Sequence, residues 1–172
     1  MIQKKICMIG AFAVGKTSLV RQFVRSIFDE KYLTSVGVRV DKKIVTVANR
    51  EVMLMLWDLE GQDDYHTVKT SYFRGASGYF LVVDGSCRAG LFVALELQKL
   101  VEREIGTVPY LMLLNKSDLC DSWELRQEDI DFLAASGIIV RRTSAKTGEG
   151  VEGAFLTLAQ RMLEQPPTGR HT

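Results

Sequence analysis

Short apolar runs alternate along the chain with longer stretches in which apolar residues recur three and four positions apart. The short runs are rich in β-branched and aromatic residues and are mostly too short for helices, as is typical of buried strands. The longer stretches have the spacing of one helix face. Strands and helices that alternate to the end of the chain predict an α/β fold, in which helices cover both faces of a mainly parallel sheet. The strands predicted from the runs are 6–9, 52–57, 79–83, 110–114 and 138–140.

Four segments are predicted to be helices. The first begins at Lys16 and extends to about Ser26, the second centres on residues 93–101, and the third covers 124–135. The clearest amphipathic pattern belongs to the fourth, close to the C-terminus. The apolar faces of the second and fourth helices are formed by Val93, Leu97, Leu100 and Val101, and by Val151, Ala154, Phe155, Leu158, Met162 and Leu163.

A hairpin and a tail complete the predicted organisation. Apolar alternation in 36–47 and 51–57 flanks Asn49-Arg50, which predicts an antiparallel pair that turns at this dipeptide. No repeat, linker or low-complexity segment interrupts the pattern. We therefore expect one domain over residues 1–164 and a flexible tail over 165–172, where two prolines follow Gln165.

Composition narrows the class of partner. The 172 residues contain 22 lysines and arginines and 21 aspartates and glutamates, so the net charge is +1. This balance gives no general attraction to nucleic acid or to an anionic membrane, and we expect no nucleic-acid partner. No apolar run is long enough to span a bilayer, and no signal peptide is recognised at the start.

The cysteines give a second constraint. Cys7, Cys87 and Cys120 are odd in number and widely spaced, which favours buried free thiols over a disulfide framework or a metal site. None lies near the C-terminus, so no prenyl anchor is expected. A cytoplasmic location, with no lipid anchor on this chain, is the resulting expectation.

The first candidate site lies where the first strand meets the first helix. Residues 10–17, Gly-Ala-Phe-Ala-Val-Gly-Lys-Thr, match the P-loop pattern G-x-x-x-x-G-K-[ST] in its expected context. Its glycines let successive backbone N–H groups point at phosphate oxygens, and the following helix presents its positive end. Lys16 is expected to reach the β- and γ-phosphates, and the hydroxyl of Thr17 to bind Mg²⁺. The residues expected to surround the phosphates are Ala13, Val14, Gly15, Lys16, Thr17 and Ser18.

A second motif is expected to select the base of the bound nucleotide. Asn115-Lys116-Ser117-Asp118 follows an apolar run and would therefore lie at the carboxyl edge of the sheet. The carboxylate of Asp118 can accept two adjacent hydrogen bonds, which guanine offers from N1–H and its 2-amino group and adenine cannot. Lys116 can lay its stem along the ring. The motif alone could also be an ordinary polar loop, but its position downstream of a P-loop favours guanine.

A third, weaker motif lies after the last strand. Thr143-Ser144-Ala145-Lys146 would reach the same edge of the sheet. Small residues there would let a backbone N–H approach the guanine oxygen closely. Alone the motif could simply begin a loop, and beside the other two it supports the prediction of a guanine-nucleotide site.

Taken together, the motifs resemble those of the Ras superfamily of small GTPases, most closely its Rab branch. Residues 57–63, Trp-Asp-Leu-Glu-Gly-Gln-Asp, are similar to the family's W-D-T-A-G-Q-E segment, and 32–38 resemble the Rab switch segment. The resemblance extends from Lys4 to about Leu163. It implies a three-layer P-loop fold with a six-stranded, mostly parallel sheet, one antiparallel edge strand and about five helices. It also implies slow hydrolysis of GTP to GDP as a molecular switch.

The resemblance assigns further roles by position. Asp58 would hold Mg²⁺ through water, and Ser35 would bind Mg²⁺ in the GTP state, with Thr34 as the alternative if the register slips. Gln62 would orient the attacking water. Gly61 would offer its N–H to the γ-phosphate. Phe28 would pack against guanine, although an aromatic residue just after a helix is as often part of the core.

Departures from the family pattern at four positions bear on catalysis. Phe12 and Ala13 stand where the family has glycine or other small residues, and a phenyl ring directed inward would crowd the space above the γ-phosphate. If it points outward, it touches nothing. Glu60 replaces an alanine beside the γ-phosphate, and Ser35 lacks the stiffening methyl of threonine.

Two functions therefore stay open at this stage. One is a slow GTPase whose two switch segments, about 29–39 and 59–74, order around the γ-phosphate and present it to protein effectors and regulators. The other is a guanine-nucleotide-binding module with little or no hydrolysis because of Phe12 and Glu60. An ATP-dependent kinase is disfavoured by Asp118.

Overall fold

The computed structural model describes residues 1–25, 32–33, 38–59 and 69–165. In these residues the chain forms seven strands and four α-helices, with two short 3₁₀ turns at Thr70–Phe73 and Cys120–Ser122. The strands are β1 (Ile2–Gly10), β2 (Tyr32–Leu33), β3 (Arg39–Val47), β4 (Arg50–Asp58), β5 (Gly78–Asp84), β6 (Tyr110–Asn115) and β7 (Val140–Arg142), and the helices are α1 (Lys16–Val24), α2 (Ala89–Ile105), α3 (Gln127–Ala135) and α4 (Val151–Glu164).

All seven strands belong to one sheet in the order β2-β3-β4-β1-β5-β6-β7. Strand β3 pairs antiparallel with β2 and β4, and the other neighbours are parallel. This confirms the predicted mostly parallel, Ras-like α/β sheet with one antiparallel strand, and four of the about five implied helices lie in the described residues. Six strands have three or more residues, and the two-residue β2 adds a seventh at the edge that the apolar pattern did not predict.

Apolar side chains fill both faces of the sheet. On one face, α1 and α4 pack through the stacked rings of Phe23 and Phe155, whose centroids lie 3.9 Å apart, with Phe80 of β5 tilted against Phe155. On the other face, α2 and α3 bury a separate cluster that includes Leu97 and Leu133. The two cores give the three layers expected of this fold.

Two predicted boundaries were wrong by a few residues. The hairpin turns at Ala48-Asn49, not at Asn49-Arg50, because both residues have positive φ (49° and 59°), as a two-residue turn that matches the twist of its strands requires. Helix α3 begins at Gln127 and not at Glu124. The backbone of Arg126 is extended and its N–H donates to the carboxylate of Asp129 at 2.9 Å, which fixes the start of the helix there.

The predicted burial of the helix faces and of the cysteine thiols also needs correction. Helix α4 buries the predicted face, apart from Leu163, which is half-buried, but α2 buries Leu91, Ala94, Leu97 and Val101, and Val93 is exposed. All three cysteines are free, yet only Cys7 is buried. Burial raises the pKa of the Cys7 thiol to about 12, so it is protonated at neutral pH.

Within the described ranges, no helix is both long and apolar enough to cross a membrane. Helix α4 ends at Glu164, and residues 166–172 lie outside the described part of the chain. The division into a domain and a flexible tail therefore stays a prediction.

Candidate nucleotide-binding site

Three of the predicted loops meet at the carboxyl edge of the sheet. They follow β1, β6 and β7, which places the P-loop beside the loops that contain Asp118 and Ala145. Two adjoining cavities open there, of about 360 and 300 Å³. The first is lined by Phe12, Ala13, Val14, Gly15, Lys16, Thr17, Ser18 and Lys116. The second is lined by Gly15, Ser18, Asn115, Lys116, Asp118, Leu119, Ala145 and Lys146.

Glycine is required at both ends of the P-loop. Gly15 has a φ of 103°, and a Cβ there would lie 2.3 Å from the side-chain nitrogen of Asn115. A Cβ on Gly10 would lie 2.5 Å from the carbonyl oxygen of Val82 on the neighbouring strand. Ala13 also has a positive φ, 59°, which an alanine adopts at a cost. The departure from glycine at position 13 thus leaves the backbone shape in place but strained.

Lys16 lies inside the loop. Its ammonium donates to the carbonyl oxygens of Gly10 at 2.7 Å and Ala11 at 2.9 Å, and the residue is buried. A positive charge is therefore held at the base of the first cavity, under the positive end of α1. An anion such as a phosphate chain is the group that this cavity suits.

Asn115 ties the three loops together. Its amide nitrogen donates to the carbonyl oxygen of Val14 at 3.0 Å, and its amide oxygen accepts from the hydroxyl of Thr143 at 3.1 Å and from the N–H of Ala145 at 3.2 Å. Asn115 and Thr143 are buried. Asn115 thus holds together loops that are more than 100 residues apart in the sequence. The N–H of Ala145 donates to Asn115 in the same network.

Asp118 is held by its neighbour in the third loop. The buried hydroxyl of Ser144 donates to one carboxylate oxygen of Asp118 at 2.7 Å and accepts from the N–H of Thr147 at 3.1 Å. The carboxylate is therefore fixed in direction at the wall of the second cavity, whose other walls include Lys116 and Lys146.

Comparison with known proteins identifies the family. The sequence matches the Ras family over residues 5–164. The chain belongs to the Ras family. It is also 32% identical to the Ras-related protein Rab-10 of Caenorhabditis elegans. The alignment of 165 residues covers 95% of this chain and 82% of that protein. The chain is therefore a Rab-like small GTPase, as its motifs predicted.

In this small GTPase, the two predicted metal ligands in the described part of the chain lie together. The hydroxyl of Thr17 donates to a carboxylate oxygen of Asp58 at 2.6 Å, and Asp58 is fully buried. A hydroxyl and a carboxylate are the oxygen donors that Mg²⁺ prefers, usually with water and phosphate oxygens as its other ligands. The pair fits such a site, although no cluster of three or more histidine, cysteine or acidic residues occurs within the described residues.

Five residues singled out in the sequence lie outside the described residues. They are Phe28, Ser35, Glu60, Gly61 and Gln62, and Thr34, the alternative to Ser35, lies outside them as well. Their roles stay predictions. Phe12 is described: it is among the residues that line the first cavity, and 74% of its surface is exposed, so its ring is directed largely to solvent.

Sequence reasoning missed one acidic residue of this GTPase. Asp84 ends β5 directly beside Asn115 of β6, and its carboxylate lies 2.9 Å from the ammonium of Lys116. Lys116 also donates to the carbonyl oxygen of Ala13 at 2.8 Å. The signal was available, because Asp84 follows an apolar strand just as Asp58 does.

Proposed function

We propose that this Ras-family chain binds GTP and GDP with Mg²⁺ and slowly hydrolyses GTP to GDP and phosphate as a molecular switch in signalling or trafficking. The observation that supports it most is the junction of the two cavities. They share Gly15, Ser18 and Lys116, so one nucleotide can place its phosphates in the first and its base in the second.

The second cavity has the chemistry to select guanine. The fixed carboxylate of Asp118 is an acceptor for the two adjacent donors of the guanine edge, and Ser144 holds it in place. Adenine carries no N1–H and would leave this carboxylate without a matching donor, which disfavours adenine at this position. Ala145 and Lys146 complete the wall of this cavity.

The first cavity has the chemistry to hold a triphosphate. Lys16 supplies a buried positive charge, and the backbone from Ala13 to Ser18 curls around the same space. Thr17 and Asp58 would hold Mg²⁺, with Ser35 as the predicted ligand from the first switch. The ion offsets the negative charge of the phosphates when it is bound.

Hydrolysis depends on residues outside the described part. Gln62 would orient the attacking water, and Gly61 would hold the γ-phosphate through its N–H, as the family resemblance implies. Phe28 would pack against guanine. The two switch segments would order around the γ-phosphate and form the surface read by effectors and regulators.

A second candidate function is a guanine-nucleotide-binding module with little or no hydrolysis. Phe12 supports it, because this large residue lines the phosphate cavity at a position where the family has a glycine or another small residue. An arginine supplied by an activating partner would have to enter there, and the loss of such an arginine costs on the order of 10³–10⁵ in rate. Glu60, next to Gly61 in sequence, adds a negative charge close to the predicted position of the γ-phosphate.

Single-turnover hydrolysis of GTP with Mg²⁺ distinguishes the two functions. We expect slow release of phosphate from the wild type and none from Gln62→Leu, with GTP affinity retained in both. Phe12→Gly tests whether the ring limits the rate. If neither wild type nor Gln62→Leu turns over while both bind GTP tightly, the hydrolase proposal is wrong and the binding module stands.

A further inference from the structure

We propose that Asp84 is a positioning residue that slows the release of bound guanine nucleotide by holding Lys116 across the two cavities. The inference rests on the proposed function, since it supposes that a guanine nucleotide occupies them. It adds a role for a carboxylate outside the three nucleotide motifs, at the end of β5.

One ammonium group links three segments of the chain. The Lys116 nitrogen lies 2.9 Å from a carboxylate oxygen of Asp84, at the end of β5, and 2.8 Å from the carbonyl oxygen of Ala13 in the P-loop. The residue itself belongs to the base loop after β6. Its side chain is 32% exposed and that of Asp84 18% exposed, so the pair is only partly screened by water.

Asp84 is held in place independently of Lys116. Its other carboxylate oxygen accepts hydrogen bonds from the N–H of Ser86 at 2.9 Å and from the hydroxyl of Ser86 at 2.6 Å. Burial raises the pKa of Asp84, but the hydrogen bonds from Ser86 and Lys116 outweigh it and leave the pKa below its usual value. The carboxylate is thus ionised, and Ser86 directs its other oxygen toward Lys116.

Lys116 needs such support for two reasons. Its φ of 66° lies in the left-handed region, which a residue with a side chain adopts only at a cost. Its side chain is also long and flexible, and ordering it costs entropy. The stem of Lys116 lines both cavities, so its position determines the shape of the base pocket and of the P-loop. Asp84 orders the lysine in the free protein, and the nucleotide then binds to a wall that is already in place.

The test is the rate at which fluorescent GDP is released into excess unlabelled GDP. Asp84→Asn keeps an oxygen that can accept from Ser86 and replaces the oxygen facing Lys116 with an amide nitrogen, a donor opposite a donor. We expect release roughly tenfold faster than from the wild type, as for the loss of a hydrogen bond between charged groups. Asp131→Asn, the same change at an exposed position of α3, should leave the rate unchanged.

Three further variants separate positioning from a general loss of structure. Ser86→Ala removes the hydroxyl that directs the Asp84 carboxylate but keeps the bond from the N–H, so release should be faster than from the wild type and slower than from Asp84→Asn. Asp84→Glu, which restores a carboxylate, should release slowly. In a Lys116→Met background, Asp84→Asn should cause no further acceleration, because the lysine through which it acts is absent.

Each opposite result would overturn the inference. Release from Asp84→Asn at the wild-type rate would show that the contact does not retain nucleotide, and equal acceleration with and without Lys116 would show that Asp84 acts elsewhere. If the wild type itself fails to retain GDP, the proposed function fails and this inference with it. That outcome is seen before any variant is compared.

Discussion

Single residues with unusual backbone angles shape the phosphate site. Gly15 and Ala13 both have positive φ in the P-loop, and Lys116 has it in the base loop. The P-loop pattern has glycine at position 15 but does not show why glycine is required there. The reason is a contact between distant residues: the backbone of Gly15 passes the amide of Asn115 with no room for a Cβ.

Gly15→Ala should therefore disrupt the site. The added methyl would lie 2.3 Å from the nitrogen of Asn115, which is buried and bonded to Val14, so neither group can move without losing a hydrogen bond. With the strain of a positive φ, we expect a loss of about 2 kcal/mol or more in the free energy of unfolding, and loss of nucleotide binding. Urea denaturation and GDP titration measure the two effects.

Gly90→Ala is the matched control. Gly90 lies in the first turn of α2, and a Cβ there meets nothing within 4 Å. The alanine should raise the free energy of unfolding by up to about 1 kcal/mol and leave GDP affinity unchanged. A Gly15→Ala protein as stable and as tightly bound to GDP as Gly90→Ala would contradict the account of this loop.

At the scale of elements, the start of α2 is tied to α3 by an ion pair. Arg88 donates to both carboxylate oxygens of Asp129, at 2.7 Å from one nitrogen and 2.9 Å from another. Asp129 also accepts the N–H of Arg126 that begins α3. The Arg88 guanidinium, and then the Arg126 N–H, lower the pKa of Asp129 to about 2. The helical spacing of apolar residues does not show which side chains form ion pairs or hydrogen bonds. The contact between Arg88 and Asp129 was therefore not predicted, and the start of α3 was wrongly predicted at Glu124.

This pair predicts a pH dependence of stability. The pKa of Asp129 is lower in the folded protein than its unfolded value of about 3.9, so its contribution is complete above pH 4 and is lost as the pH falls toward 2. Asp129→Asn should lower the free energy of unfolding at pH 6, and the difference from wild type should shrink at pH 3. Urea titrations at the two pH values measure it.

Asp131→Asn serves as control on the same helix, because Asp131 is exposed and accepts only from the side chain of Gln127 among the described hydrogen bonds. Its difference from wild type should be small at both pH values. A difference for Asp129→Asn that grows as the pH falls would show that the ion pair does not stabilise the fold.

For the whole molecule, the alternation of apolar runs and helical spacing was enough to predict the sheet and its three layers. Buried strands such as β5 and β6 are apolar almost throughout, so they stand out in the sequence. Motifs likewise placed Lys16, Thr17 and Asp118 at one edge. What the sequence could not supply was the network that joins them, in which Asn115 and Lys116 reach P-loop carbonyls more than 100 residues away.

The central claim is that this edge of the sheet binds guanine nucleotides through Asp118. The most direct test is displacement of fluorescent GDP from the wild type and from Asp118→Asn by GTP, ATP and XTP, with Asp121→Asn, an exposed neighbour, as control. Wild type should favour GTP over ATP by about 10⁴-fold, since a site built for hydrogen bonds rejects a base that lacks the donors. Asp118→Asn should lose GTP and gain XTP, whose C2 carbonyl can accept from the new amide. Displacement by ATP as effective as by GTP, or unchanged selectivity in Asp118→Asn, would contradict the assignment.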